Sequence, residues 1–137
     1  MKIAIRYYTK SKKGNTEKLA REISSALHKE ALDVSHDLSE RVDRLFLVNA
    51  MYAANIDGAV KSFLERNKDN IGEIINLNTS ASGKSTLKTV KATADKLGIP
   101  VSDKEFHCAA SWIFINKGLP SADDYANARA FVQEMAQ

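Results

Sequence analysis

Lys2-Ile3-Ala4-Ile5-Arg6-Tyr7-Tyr8 runs straight into Thr9-Lys10-Ser11-Lys12-Lys13-Gly14-Asn15-Thr16. The first stretch is β-branched and aromatic and reads as a strand; the second is small, hydroxylated and cationic and reads as a loop. Beyond it Leu19, Ala20, Ile23, Ala26 and Leu27 recur at helical spacing. Glu17 falls in the first turn, where the positive end of the helix dipole favours a carboxylate. The opening unit is therefore strand, polar loop, helix.

The same unit recurs in pattern along the chain. Val34 to Leu38 is a weak strand candidate, with His36 and Asp37 marking it as a possible edge. Arg44 to Ala50 is a nearly continuous apolar run, as expected of a strand covered on both faces. A loop from Met51 to Asp57 leads to a short helix with Val60, Phe63 and Leu64 inward. Ile74 to Leu77 reads as the next buried strand and Asn78 to Thr86 as its loop. A helix carrying Leu87, Val90, Ala94 and Leu97 on one face follows and stops at Gly98 and Pro100. Phe106 to Ile115 contains the last strand, irregular at its far end. After a turn at Gly118-Leu119-Pro120, Ser121-Ala122-Asp123-Asp124 has the form of a capping box with Asp in the Glu position. It opens a helix with Tyr125, Ala128, Val132 and Met135 on one face.

Five strands alternating with four helices imply an α/β domain, a parallel sheet with helices on both faces and right-handed crossovers. A chain of 137 residues fits one such domain spanning residues 1–137. Ligands of these sheets sit beyond the carboxyl ends of the strands. Function is expected in loops 9–16, 50–57 and 78–86.

Charge sharpens that expectation. Residues 1–18 hold Lys2, Arg6, Lys10, Lys12, Lys13 and Lys18 against Glu17, a net +5 in a chain whose total is +3. A local positive site predicts a small anion as partner and argues against a general nucleic-acid surface. The longest stretch free of Asp, Glu, Lys and Arg, Leu45 to Ile56, is too short to span a bilayer. The N-terminal stretch has no apolar core or cleavage site of a signal peptide. Cys108 stands alone, so no disulfide framework is expected, and a cytoplasmic setting follows.

A helix N-terminus offers unpaired N–H groups and partial positive charge, and a loop of small residues lets a phosphate approach them. Thr9, Ser11 and Thr16 supply hydroxyls, Gly14 a side-chain-free approach, and Lys10, Lys12 and Lys13 ammonium groups. With Ser11-x-x-Gly14-Asn15-Thr16 directly after a strand ending in Tyr7-Tyr8, and with Ala20 and Ile23 on the next helix, the chain resembles the flavodoxin family. The resemblance follows the whole length in order and spacing of elements and is close over residues 3–23. It implies a doubly wound five-stranded sheet of order 2-1-3-4-5, the order flavodoxin itself exemplifies. It further implies non-covalent FMN, with the phosphate in the first loop held by Ser11, Gly14, Asn15 and Thr16, flanked by Thr9, Lys12 and Lys13. The flavin ring would then lie between Met51, Tyr52 and Ala53 on one side and Asn78, Thr79, Ser80, Ser82 and Gly83 on the other.

Several residues depart from the family pattern. Lys12 and Lys13 replace small or hydroxylated residues, Thr9 replaces an aromatic, and the chain is basic where most flavodoxins are acidic. Arg6, in the expected central strand, either reaches the strand's end to assist the phosphate or is structural. Tyr52 is either a stacking platform for the flavin or an ordinary tyrosine. His28, His36 and His107 lack metal spacing, Cys108 reads as an inert buried thiol, and Trp112 reads as core or as a lid. The leading expectation is an FMN-dependent electron carrier or small reductase, serving a redox protein or a small acceptor such as a quinone. A flavin-free binding module of the same fold is one alternative. Phosphoryl transfer is another, since Gly83-Lys84-Ser85 ends like a nucleotide-binding loop whose leading glycine position is Asn78.

Overall fold

A computed structural model describes residues 1–10, 14–52, 55–111 and 115–137. β1 (Ile3–Tyr7) leads into α1 (Asn15–Leu27), β2 (Ala31–Asp33), β3 (Arg44–Ala50), α2 (Gly58–Asn67), β4 (Ile74–Ser80), α3 (Leu87–Leu97), β5 (Phe106–Ala109) and α4 (Ala122–Met135). The strands pair in parallel, as the sequence pattern implied, in the order β2-β1-β3-β4-β5 that the family resemblance implied.

The pleat sends successive side chains to opposite faces, which divides the core into two. Leu45, Leu47 and Ile74 pack with Val60, Phe63 and Leu64 of α2 and Val90 and Ala94 of α3. Phe46, Val48, Ile75 and Leu77 pack on the other face with Leu19, Ala20 and Ile23 of α1 and Ala128 and Val132 of α4. Fully burying each such large apolar side chain contributes roughly 1.5–3 kcal/mol over leaving it in water. These two layers fix where each strand ends, and so where the loops gather.

Helix ends follow their local chemistry. Asp57 caps α2 by accepting from the Ala59 amide at 2.8 Å. Ser121 and Asp124 form the expected capping box on α4. Gly98 ends α3 with φ 72°, a left-handed conformation that glycine adopts without a Cβ penalty.

Two boundaries differ from the sequence reading. The second strand is Ala31–Asp33, and Val34 to Leu38 is the turn that follows it. Val34 makes one last bond, donating to Tyr7 O at 3.0 Å, and the Ser35 amide then closes onto Asp33 Oδ1. The apolar signal there came from Val34 and Leu38 dipping into the core from a turn. β4 also runs three residues further than the apolar run, through Asn78, Thr79 and Ser80. Its polar end is flanked by β3 and β5, with Asn78 opposite His107 and Ser80 opposite Ala109.

Arg6 is structural. Its buried guanidinium donates to three backbone carbonyls, those of Ile5, His36 and Asp37, and so ties the turn after β2 to β1. Burial lowers its pKa, opposed by the carboxylates of Glu30 and Asp37.

Candidate functional site

The segments leaving β1, β3, β4 and β5 surround a cleft of about 690 Å³ at the carboxyl end of the sheet. That volume is in the usual range for small-molecule sites. Thr9, Lys10, Gly14, Asn15 and Thr16 line one side, Ala50, Met51 and Tyr52 a second, and Thr79, Ser80, Ala81, Ala110 and Ser111 the rest. Eight residues singled out from sequence (Thr9, Gly14, Asn15, Thr16, Met51, Tyr52, Thr79 and Ser80) are thus brought together. Ser11, Lys12, Lys13 and Ala53, with Trp112 to Phe114, lie outside the described residues.

Gly14 occupies the N-cap of α1 with extended backbone and has no side chain to cap the helix. The first-turn amides have no intrahelical partner, and those of Asn15 and Thr16 belong to residues that line the cleft. Asn15 Nδ2 donates to Ser111 O and contacts Ser111 Oγ, both at 3.1 Å, joining the first loop to the segment after β5. Thr16 is buried, and its hydroxyl pairs with that of Thr79 at 2.9 Å. One donor is consumed by that bond, so the pair retains a second proton to offer.

Tyr52 holds the β3 side. Its hydroxyl accepts from the Lys10 amide at 2.9 Å, and its backbone closes a two-bond turn with Asn55 at 2.7 and 2.9 Å. The Lys10 ammonium sits 4.6 Å from the Tyr52 ring centroid and 3.5 Å from Asp57 Oδ2. Among the described residues Lys10 is the one charged side chain lining the cleft, and its partner Asp57 lies outside that lining.

Asn78, Ser82 and Gly83 are outside this lining. Asn78 is fully buried; its Nδ2 donates to Lys84 O at 3.0 Å and its Oδ1 accepts from the Thr86 amide at 3.0 Å. It therefore shapes the loop after β4 from beneath. Ser82 Oγ accepts from the Lys84 amide, and Gly83 O meets His107 Nδ1 at 2.8 Å on the outer side. Below them Asn49, Asn76 and Thr86 close a buried ring. Asn49 Nδ2 donates to Asn76 Oδ1 (2.8 Å), Asn76 Nδ2 to Thr86 Oγ1 (3.0 Å), and Thr86 Oγ1 to Asn49 Oδ1 (2.7 Å).

Ala110 and Ser111 were missed from sequence. Their signal was topological, since whatever leaves β5 must emerge at the same end as the other loops. In the Gly83-Lys84-Ser85 stretch the Ser85 hydroxyl is bonded to the carboxylate of Glu105 and to the Leu87 amide. A carboxylate at that position repels phosphate. Cys108 is buried, and burial pushes its thiol up to about 11. Among the described residues no group of His, Cys, Asp and Glu is placed to hold a metal ion, and no helix is long and apolar enough to cross a membrane.

No protein-family model and no curated protein matches this chain in sequence. Solved structures do match its shape. A flavodoxin from the domain Archaea superposes with a TM-score of 0.77 at 11% identity, covering 99% of this chain and 96% of the other. Oxidised Flavodoxin 1 from Bacillus cereus gives 0.69 at 16% identity, covering 98% and 95%. The Trp repressor binding protein from Bacillus subtilis gives 0.62 at 15% identity, covering 96% and 97%. With its five-stranded parallel order and superposition over nearly the full length of both chains, the chain has the flavodoxin fold.

Proposed function

We propose that this protein binds FMN in the cleft and works as a small redox protein, passing electrons to a protein partner or to a small acceptor such as a quinone. The observation that carries the reading is the cleft's composition: an uncapped helix N-terminus at Gly14, a flat aromatic at Tyr52 and, among the described residues, no carboxylate in the lining, in a space of about 690 Å³. The phosphate is assigned to the loop from Ser11 to Thr16 and the ring system to the space between Tyr52 and the Thr79–Ala81 edge. When bound, the flavin supplies the electron transfer itself. The chain's own part is narrower. The first-turn amides of α1 orient the dianion, the Asn15 side chain braces their loop against Ser111, the Thr16–Thr79 pair offers its spare proton, and Met51 and Ala110 keep water from the apolar part of the ring. With a single reduced thiol at Cys108, we place the protein in the cytoplasm.

The test is direct. The purified chain, incubated with FMN and desalted, retains a yellow chromophore and quenches flavin fluorescence. A Ser11→Ala and Thr16→Ala double variant binds FMN at least about tenfold more weakly, since hydrogen bonds to a charged group contribute about 1.5–3 kcal/mol each. A chain that stays colourless, or a double variant of unchanged affinity, overturns the assignment. The lysine-rich first loop also favours the anionic reduced flavin, so the reduction potential falls as added salt screens those charges. Spectroelectrochemical titration over a salt series checks the sign.

A further inference from the structure

The two ends of the sheet carry opposite charge. The segments leaving the strands (9–18, 34–38, 51–57, 81–86 and 110–120) hold Lys10, Lys12, Lys13, Lys18, Lys84 and Lys117 against Glu17, Asp37 and Asp57, a net +3. The segments entering the strands (1–2, 28–30, 39–43, 68–73 and 98–105) hold five bases against seven acids, a net −2. The first turns of α2, α3 and α4, at the cleft end, add Lys61 and Lys88 against Asp123 and Asp124 and leave that balance unchanged. All four α-helices also start at this end, so their dipoles add positive potential.

The acids at the cleft end are occupied. Glu17 accepts from the Tyr7 hydroxyl at 3.0 Å, Asp37 pairs with Arg66 at 3.0 Å, and Asp57 caps α2 beside Lys10. Asp124 is held in the capping box, which leaves Asp123 as the exposed acid of that region. Lys18, Lys84 and Lys117 are exposed.

An apolar residue sits among these charges. Ile115 is 46% exposed, and with Met1 it is one of two large hydrophobic residues so exposed among those described. It is held there: Asn116, in the left-handed region at φ 55°, donates from Nδ2 to Ala81 O (2.6 Å) and Ala110 O (3.2 Å). Those bonds fasten the Ile115–Gly118 turn to two residues that line the cleft. A free small anion has no use for an apolar contact outside the cleft. A protein surface does, because a buried apolar anchor within a charged rim is how such interfaces combine affinity with orientation.

We propose that the rim formed by Ile115, Lys117, Lys84 and Lys10 docks an acidic protein partner, with Ile115 as the apolar anchor. That the partner exchanges electrons rests on the FMN reading; the docking itself does not. The test uses an acidic plant-type ferredoxin as probe and basic cytochrome c as its opposite, each titrated into the isotope-labelled full chain and followed by amide NMR shifts. At about 20 mM salt ferredoxin shifts Lys84 and Ile115 to Gly118, and the effect fades towards about 300 mM as the screening length falls from roughly 20 Å to roughly 6 Å. Lys84→Glu with Lys117→Glu weakens binding about tenfold or more and flattens the salt dependence. Ile115→Ser weakens it and leaves the salt dependence in place. Overturning outcomes are ferredoxin binding at the opposite end, no ferredoxin shifts at about 20 mM salt, or cytochrome c on this rim. Flavin content is read separately by absorbance. A colourless chain that still docks ferredoxin upholds the surface and refutes the flavin; a yellow chain that does not dock refutes the surface alone.

Discussion

The cleft has two unlike walls. On the β4 side, the loop from Ala81 to Thr86 is anchored from below by the closed ring of Asn49, Asn76 and Thr86, with Asn78 and Ser80 both donating to Lys84 O. Those five ring and anchor residues are buried, so their hydrogen bonds form where water cannot compete. On the β1 and β3 side, Lys10, Tyr52 and Asp57 hold one another through contacts open to solvent on one side; the Lys10 side chain is 58% exposed and that of Asp57 19%. Exposed pairs of this kind contribute about 0–1 kcal/mol. One wall is set when the chain folds, and the other can adjust to what enters.

The comparison breaks first at the ring. Asn76→Ala removes two of its three bonds, leaving Asn49 Nδ2 with only its longer 3.3 Å bonds to Leu47 O and Leu77 O and a Thr86 lone pair unfilled in the core, so urea denaturation shows a loss of about 2 kcal/mol. A loss below about 1 kcal/mol means the ring is not what braces this wall. Next come the hydroxyls that bridge the walls. Thr16→Val and Thr79→Val each leave the other hydroxyl buried without its partner and cost about 1–2 kcal/mol. The double variant costs less than the two added together, because it leaves neither unpaired. A double-mutant cycle of thermal or urea midpoints gives the coupling, and simple additivity disproves it.

The adaptable wall gives smaller effects. Tyr52→Phe removes the acceptor for the Lys10 amide, changes stability by about 0.5 kcal/mol or less, and speeds exchange of that one amide severalfold. Unchanged exchange, followed by NMR, breaks the link between the two loops. An effect absent at neutral pH concerns Cys108 beside the rigid wall. Its folded pKa is raised above the unfolded value, so its contribution to stability is fully present below about pH 9 and is lost as pH rises towards about 11. Iodoacetamide labelling of the native chain is slow at pH 8 and accelerates only as pH approaches about 11. Rapid labelling at pH 8 would show an accessible thiolate.

Much of the architecture was readable because each core layer writes a distinct period into the chain. β3, buried on both faces, spans Arg44 to Ala50 as its apolar run says, and α3 begins at Leu87 and stops at Gly98. Reading failed where polar residues do structural work. Asn78, Thr79 and Ser80 look like loop because their side chains are polar, yet neighbouring strands and the asparagine ring satisfy them inside the sheet. Three asparagines, Asn49, Asn76 and Asn78, within or directly after two apolar runs were the available clue. At the site, residues 14–16 were legible because strand, glycine and helix follow one another directly. Ser111 was not, because only the assembled sheet brings it to Asn15.

The sheet's outermost members are its shortest, three residues in β2 and four in β5. Each therefore leaves few unpaired amides and carbonyls for the backbone of another molecule to extend. Concentrated solutions of the native chain accordingly resist fibril-like stacking, and any tendency to aggregate is traced to opened molecules that uncover β3 or β4.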